Sequence, residues 1–142
     1  MPHARSTEEP SPLAKALARV GDRWSLLVVA ALLDGPRPFN DLRAAVPGIA
    51  PNILSQRLKH LERERLVLAR PYSTRPARHA YELTGAGGDL GGALRLLADW
   101  GAGQSGAEAP RHGACGTPME ARWFCPTCGE VVDERDADLH AV

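Results

Sequence analysis

The sequence has few cysteines, few aromatic residues and no long apolar run. Its 142 residues include three cysteines, and aromatic side chains make up 5% of the chain. The longest apolar run, Leu26 to Leu33, spans eight residues, whereas a membrane-spanning helix needs about 20. The first 12 residues also lack the apolar segment of a secretory signal. We therefore expect a cytoplasmic protein that does not cross a membrane and whose thiols stay reduced.

The chain also lacks a net charge, which taken alone argues against a nucleic-acid-binding protein. Its 17 basic and 17 acidic side chains are, however, unevenly distributed. Residues 1–103 carry a balance of +4 and residues 104–142 a balance of −4, while residues 57–79 alone carry +5. Arginine supplies 15 of the 17 basic residues, and its planar guanidinium suits phosphate and guanine. The net charge of zero is therefore the sum of a basic N-terminal part and an acidic C-terminal part.

The spacing of apolar residues predicts a mainly α fold with a small β-hairpin wing (α+β). The predicted helices span 12–20, 24–33, 40–46, 51–65 and 84–101, with Asn40 and Thr84 as N-caps. The second helix is apolar almost all round and should be buried. Strands at 66–69 and 80–83 enclose a basic tip that contains proline. Five glycines between positions 85 and 92 predict fraying or bending at the start of the last helix.

The third and fourth helices, joined by a Pro-Gly turn at 47–48, have the pattern of a helix-turn-helix. Leu54, Leu58 and Leu61 form one apolar stripe, and the opposite face of the fourth helix is polar and basic. Such a face can contact base edges in the major groove, while wing arginines meet the backbone or minor groove. The alternative is a solvated helix and loop without a nucleic-acid partner. The predicted DNA-binding residues are Asn40, Arg43, Asn52, Ser55, Gln56, Lys59, Arg63, Arg75 and Arg78.

Five segments, in order along the chain, resemble the HxlR family of bacterial transcription regulators, which are MarR-like winged-helix proteins. They are Val20-Gly-Asp-Arg-Trp-Ser-Leu-Leu27, Gly35-Pro-Arg-Pro-Phe-Asn-Asp-Leu42, Pro47-Gly-Ile-Ala-Pro-Asn-Ile-Leu-Ser-Gln-Arg-Leu58, Tyr81-Glu-Leu-Thr84 and Trp100-Gly101. The resemblance covers residues 11–101 and implies a homodimer, built by the first and last helices and the N-terminal arm. It also implies binding of double-stranded DNA at a pseudo-palindromic operator. We expect repression, although the operator position decides between repression and activation.

Two positions depart from the family pattern. Many members have a cysteine before the proline that opens the first helix, and in some it senses oxidants or aldehydes. Here that residue is Ser11, so a thiol switch at this position is chemically absent. Ala50 replaces the usual serine before the proline of the recognition helix, which removes an N-cap worth about 1 kcal/mol.

The C-terminal part contains two pairs of candidate metal ligands, His112-x2-Cys115 and Cys125-x2-Cys128, each followed by glycine. Four such ligands suit a closed tetrahedral Zn²⁺ site, which is structural because no coordination position stays open. We predict a zinc ribbon over 112–132, since a segment of about 20 residues cannot hold a core unaided. His140 is an alternative fourth ligand. A redox-active or idle Cys-x2-Cys in a disordered tail is the alternative to zinc.

The predicted organisation is therefore a winged-helix DNA-binding and dimerisation domain (1–101), a linker (102–111), a zinc ribbon (112–132) and an acidic tail (133–142). No phosphate loop, nucleophile elbow or carboxylate pair suggests an enzyme. Two other functions stay open: a ribbon that docks a protein partner, and a thiol or metal sensor that releases zinc on oxidation. The dimer seam could also enclose a small-molecule effector, although no residue set identifies one.

Overall fold

A computed structural model describes residues 9–133 and residue 135. The predicted N-terminal arm, most of the predicted acidic tail and the alternative ligand His140 lie largely or wholly outside these residues. The chain divides into two compact units, Met1–Leu94 and Arg95–Val142. Among the described helices, none combines the length and apolar character required to cross a bilayer.

The first unit follows the predicted order of helices and strands. Its helices are α1 (Pro12–Val20), α2 (Arg23–Leu32), α3 (Phe39–Ala45), α4 (Pro51–Arg63) and α5 (Gly85–Gly88), and α6 (Leu90–Ser105) crosses into the second unit. Its strands β1 (Arg37–Pro38), β2 (Val67–Thr74) and β3 (Ala77–Leu83) form an antiparallel sheet in the order β1-β3-β2. The predicted mainly α fold with a β-hairpin wing is thus confirmed, and β1, in a segment that the sequence indicates as a short connector or strand, is the third strand of the sheet.

The core of the first unit forms where the apolar stripes of the helices meet the base of the sheet. Leu54, Leu58 and Leu61 of α4 are at most 1% exposed, which confirms their predicted stripe. Burying a leucine side chain contributes about 1.5–3 kcal/mol, so this stripe fixes the orientation of α4. The buried residues are Val20, Val28, Val29, Leu32, Leu42, Val46, Ile49, Leu54, Leu58, Leu61, Leu66 and Val67.

Two helices, α1 and α2, expose large apolar side chains. The pattern predicts burial of α2 all round, but Leu27 is 43% exposed. In α1, Ser11 caps the helix by accepting a hydrogen bond from the Ala14 backbone N–H at 3.1 Å. Only Val20 of α1 is buried, whereas Leu13 and Leu17 are about half exposed. Among the residues that the structure describes, none buries the apolar side chains of α1 other than Val20.

The N-cap predicted at Asn40 is wrong. Helix α3 begins at Phe39, and its N-cap position is Pro38, which makes no side-chain capping bond. The cause is β1, in which Pro38 pairs with Ala80 and carries the extended chain directly into the helix. Asn40 therefore lies exposed in the first turn of α3.

Helix α4 and the wing also differ from their predicted bounds. Helix α4 ends at Arg63 rather than at 65, and Arg65 adopts a left-handed φ of 59°. The strands of the wing are longer than predicted because β2 passes through Pro71 by an irregularity between Pro71 and Ser73. The basic tip is thus part of the sheet up to the turn at Arg75.

The glycine-rich segment after the wing breaks into two helices, as its low helix propensity predicts. Thr84 is the N-cap of α5 and accepts a hydrogen bond from the Gly87 backbone N–H at 3.1 Å. A Cβ atom on Gly87 would lie 2.1 Å from the carbonyl oxygen of Leu66, so only glycine fits there. Helix α6 then continues to Ser105, so residues 102–105, predicted as the start of a linker, are helical.

The second unit contains two short hairpins after α6. Strands β4 (Trp123–Cys125) and β5 (Glu130–Val132) form an antiparallel pair. A second turn is closed by an antiparallel bridge between Arg111 and Pro118. From position 103 to 133 no side chain is buried, so this segment has no apolar core of its own.

Asp22 links the N-terminus of α2 to α4, and its removal should destabilise the first unit. Its carboxylate accepts a hydrogen bond from the Ser25 backbone N–H at 2.9 Å and lies 3.5 Å from Nε of Arg57. Loss of an N-cap side chain costs about 1 kcal/mol, so Asp22→Ala should lower the free energy of unfolding by about that amount. Urea denaturation measures the change. Asp22→Asn is the matched control, because it keeps a capping oxygen and removes only the charge.

The charge contribution of Asp22 should also depend on pH. Partial burial raises the pKa of Asp22, but its contacts with Ser25 and the charge of Arg57 outweigh burial and hold the pKa below its ordinary value of 3.8. The stabilising effect is therefore complete above that value and is lost as the pH falls through the folded-state pKa. The stability difference between the wild type and Asp22→Asn should vanish in that acidic range. A difference that persists at still lower pH would contradict this assignment.

Candidate nucleic-acid interface

The candidate interface consists of α3, the turn at Gly48 and α4. Gly48 has a φ of +84°, a left-handed conformation that glycine adopts without strain. Because Leu54, Leu58 and Leu61 hold α4 against the core, the opposite face of the helix is open. Four of its predicted contact residues are exposed and Ser55 is half-buried; the exposed four are Asn52, Gln56, Lys59 and Arg63.

Contacts with neighbouring helices hold the middle and the C-terminal end of α4. Arg19 of α1 donates from Nε to Glu64 Oε2 at 2.6 Å and from Nη2 to the Glu64 carbonyl at 2.8 Å. The hydrogen bond from Arg19 lowers the pKa of the Glu64 carboxyl. His60 Nε2 lies 2.6 Å from the carbonyl oxygen of Arg19, which gives this histidine a structural partner. Nearer the N-terminus of α4, Arg57 pairs with Asp22.

The structure separates paired from unpaired cations between residues 43 and 78. Arg57 pairs with Asp22, and Arg70 pairs with Glu82 across β2 and β3. Within residues 9–133 and 135, the five predicted contact cations make no ion pair; these are Arg43, Lys59, Arg63, Arg75 and Arg78. All five are exposed, so their charges are available to phosphate.

A shallow groove joins the start of α3 to the wing. Asn40 and Arg78, both predicted from sequence to contact DNA, lie in its wall together with Tyr72 and His79. Tyr72 is absent from the residues predicted from sequence, because the pattern indicates no regular strand at the wing tip. In the longer β2, Tyr72 is 55% exposed beside the irregularity at Pro71. Arg75 lies at the turn itself, outside this groove.

A second groove lies at the N-terminus of α4 and also includes Asn40. Its lining includes Arg43, Gly48 and Ala50. Ala50 occupies the N-cap position of α4, and its methyl side chain makes no capping hydrogen bond, as predicted from the sequence. The first backbone N–H groups of α4 therefore have no side-chain cap. Uncapped N–H groups at a helix N-terminus favour a negatively charged ligand. Asn40 and Arg43 therefore lie beside a position suited to a phosphate.

The candidate zinc ligands form two separate pairs in the second unit. His112 Nδ1 lies 3.3 Å from Cys115 Sγ. Hydrogen bonds with Thr117 and His112 lower the pKa of the Cys115 thiol to about 7, and the Cys128 backbone N–H lowers the pKa of Cys125. In the part of the chain that the structure describes, no three candidate ligands come together around one point. The three cysteines form no disulfide.

Comparison with known proteins identifies relatives of both the sequence and the fold. The HxlR-like helix-turn-helix family matches residues 19–109. An uncharacterized HTH-type transcriptional regulator of Mycobacterium tuberculosis is 38% identical over 133 residues, which cover 90% of this chain and 84% of that protein. This alignment extends beyond the family match into the C-terminal unit. The HTH-type regulator YodB of Bacillus subtilis is 30% identical over 88 residues, 62% of this chain and 79% of its own length.

Solved structures of regulators match the winged-helix part of the chain. The reduced form of YodB from B. subtilis superimposes with a TM-score of 0.57 at 28% identity, covering 66% of this chain and 93% of that one. The redox regulator HypR in its reduced form has a TM-score of 0.63 at 27% identity, covering 67% and 94%. About two thirds of this chain therefore corresponds to nearly the whole of each of these two structures.

Proposed function

Because the chain belongs to the HxlR-like helix-turn-helix family of transcriptional regulators, we propose that it binds a pseudo-palindromic operator as a homodimer and represses transcription. Helix α4 of each copy enters the major groove, and the two α4 helices lie about one helical turn of DNA apart. The wings contact the flanking backbone. Repression follows when the occupied operator overlaps the site used by the polymerase.

The observation that carries this proposal is the separation of cations on the basic surface. Arg57 and Arg70 stabilise the fold through Asp22 and Glu82. Lys59 and Arg63 extend from the exposed face of α4, which also carries the polar residues Asn52 and Gln56. Asparagine and glutamine can bond adenine with two hydrogen bonds, and lysine can reach guanine or phosphate. The exposed face of α4 therefore combines base reading with backbone attraction.

The dimer part of the proposal rests on uncovered apolar faces. Leu13 and Leu17 of α1 are 48% and 51% exposed. In α6, Leu90 and Leu94 pack against the core, but Leu97 and Trp100 on the same side are 54% and 66% exposed. Large apolar side chains that line up on one helix face and remain exposed mark a protein interface. A second copy of the chain is the partner that also explains the symmetry of an operator.

The direct test of the proposed function is selection of bound DNA from a random pool, followed by footprinting on the enriched sequence. The expected result is a pseudo-palindrome whose two protected half-sites lie about 10 base pairs apart, centre to centre. Enrichment of a single half-site without a second one would contradict the proposal that a homodimer binds the operator. Absence of any enrichment, together with no binding at low salt, would overturn the DNA-binding function.

Arg75 and Arg78 of the wing make no ion pair with any residue that the structure describes, and this predicts a specific salt effect. Replacing Arg75 and Arg78 by alanine should weaken binding to all DNA sequences about equally, because these residues contact the backbone. The slope of log affinity against log salt should become shallower by about 0.9 for each phosphate that the protein no longer neutralises. Fluorescence anisotropy over a salt series measures this slope. Arg70→Ala is the matched control, since Arg70 is already paired with Glu82, and an equal change of slope in the control would contradict the assignment.

A thiol sensor is the second candidate function. It is favoured by the free thiols of Cys125 and Cys128, where the Cys128 backbone N–H lowers the pKa of Cys125, and by the similarity to the redox regulator HypR. Peroxide would oxidise Cys125 and Cys128 to a disulfide and be reduced to water, and any metal held by them would be released. Operator affinity should then change in the wild type and stay constant in Cys125→Ser. Affinity that peroxide leaves unchanged in the wild type excludes this candidate.

A further inference from the structure

The two candidate ligand pairs of the second unit share a backbone hydrogen bond and a left-handed glycine. In the first pair, the Gly116 N–H donates to the carbonyl of His112 at 2.7 Å, and in the second, the Gly129 N–H donates to the carbonyl of Cys125 at 2.8 Å. Both glycines have a φ of +71°. The two segments have only the pattern x2-Cys-Gly in common. Both nevertheless form a five-residue turn closed by the same hydrogen bond, with the ligand residues at its first and fourth positions.

Each of these turns lies at the tip of a hairpin. The first is closed by the Arg111–Pro118 bridge and by the hydrogen bond from the His112 N–H to the Thr117 carbonyl at 2.8 Å. The Arg111 guanidinium also donates to the Gly116 carbonyl at 2.9 Å. The second turn joins β4 to β5, where Cys125 pairs with Glu130. Each hairpin therefore presents two metal-binding side chains from a defined turn.

Burial of apolar side chains does not account for the order of this segment. Cys115 and Cys128 are exposed, although free cysteine is among the most often buried residue types. The large apolar side chains nearby are exposed as well: Met119, Trp123, Phe124 and Val131. A segment with two hairpins and no core needs another source of cohesion, and in small domains a metal ion commonly supplies it.

We propose that His112, Cys115, Cys125 and Cys128 bind one structural Zn²⁺ ion that joins the two hairpins into a zinc ribbon. Each pair is a half-site formed by its own turn, and the ion is the component that unites the halves in a tetrahedron. Three thiolates and one neutral imidazole fill all four positions, so the site leaves no room for a substrate or a catalytic water.

The test uses the full chain, purified under reducing conditions and reconstituted with zinc. Elemental mass spectrometry should find about one zinc per chain in the wild type and less than about a tenth of that in Cys125→Ser/Cys128→Ser. Thr127→Ser, inside the same turn, is the matched control and should retain the metal. A wild type without zinc, or equal zinc in the double variant, would overturn the proposal.

Two further measurements test the joining of the hairpins. His112→Ala should lower zinc affinity by at least about tenfold, measured by competition with a chelator, because a four-ligand site loses one ligand. Unchanged affinity would remove the first pair from the site. Removal of zinc should also accelerate trypsin cleavage after Arg111 and Arg122 by about tenfold or more, since the ion holds both hairpins. An equal cleavage rate with and without zinc would contradict a structural role.

Discussion

Replacement of Gln56 and Lys59 by alanine is expected to lower operator affinity by about 100-fold or more, because each good base contact contributes about 1–3 kcal/mol and the proposed dimer would make every contact twice. Both side chains extend from the exposed face of α4, away from the stripe of Leu54, Leu58 and Leu61. The fold should be unaffected, since neither residue contributes to the core. Affinity for random DNA should fall much less, as only one cation is removed from each copy.

Gel-shift titration with the selected operator and with a scrambled duplex measures both affinities. Lys15→Ala is the control, because Lys15 is an exposed lysine on α1 that pairs with Glu9, outside the helix-turn-helix. The circular dichroism spectrum and the unfolding midpoint of all variants should match the wild type. Equal operator affinity in the double variant and the control would remove α4 from its role as the recognition helix.

Introduction of glutamate at Leu17 and Trp100 is expected to convert the proposed dimer into a monomer of 15.2 kDa. Burial of large apolar side chains contributes about 1.5–3 kcal/mol each, and each substitution occurs twice in a symmetric interface. Two linked half-sites gain about 10²–10⁴-fold in affinity over one. Operator affinity should therefore fall by at least about 100-fold, to the level of a single half-site.

Sedimentation velocity gives the mass, and anisotropy with a half-site duplex shows whether each monomer still binds DNA. Arg95→Glu is the control, since Arg95 is exposed on the side of α6 opposite Leu97 and Trp100. Retention of half-site affinity distinguishes loss of the dimer from loss of the fold. A double variant that stays dimeric would place the interface elsewhere.

The helix-turn-helix could be predicted from sequence because its determinants are local. Leu54, Leu58 and Leu61 repeat at helical spacing, and a Pro-Gly turn precedes their helix, so no distant contact is needed to define α4. The N-cap at Asn40 could not be predicted in this way. The position of the first residue of α3 depends on the pairing of Pro38 with Ala80, which is far away in the sequence. Long-range pairing thus overrides a local capping preference.

The glycine-rich segment after the wing shows a different limit of prediction from the sequence. Its composition predicts a weak helix, and the chain does break between α5 and α6. The need for glycine at position 87 follows only from the approach of the Leu66 carbonyl, which a sequence pattern does not contain. The apolar face of α1 is a similar case. The spacing of its apolar residues is that of an amphipathic helix, but this spacing does not say whether the surface that covers the apolar face belongs to the same chain or to another one.

The contacts of Arg19 connect α1 to the C-terminal end of α4. The same short helix offers an apolar face at Leu13 and Leu17 and holds the end of α4 through Glu64 and His60. In the proposed dimer, a shift of α1 would change the angle at which α4 meets DNA. The arrangement of the two α1 helices and the spacing of the half-sites would then be coupled, and each would favour the other by thermodynamic linkage. Contacts between the two copies would thus help to set the half-site spacing that the proposed dimer recognises.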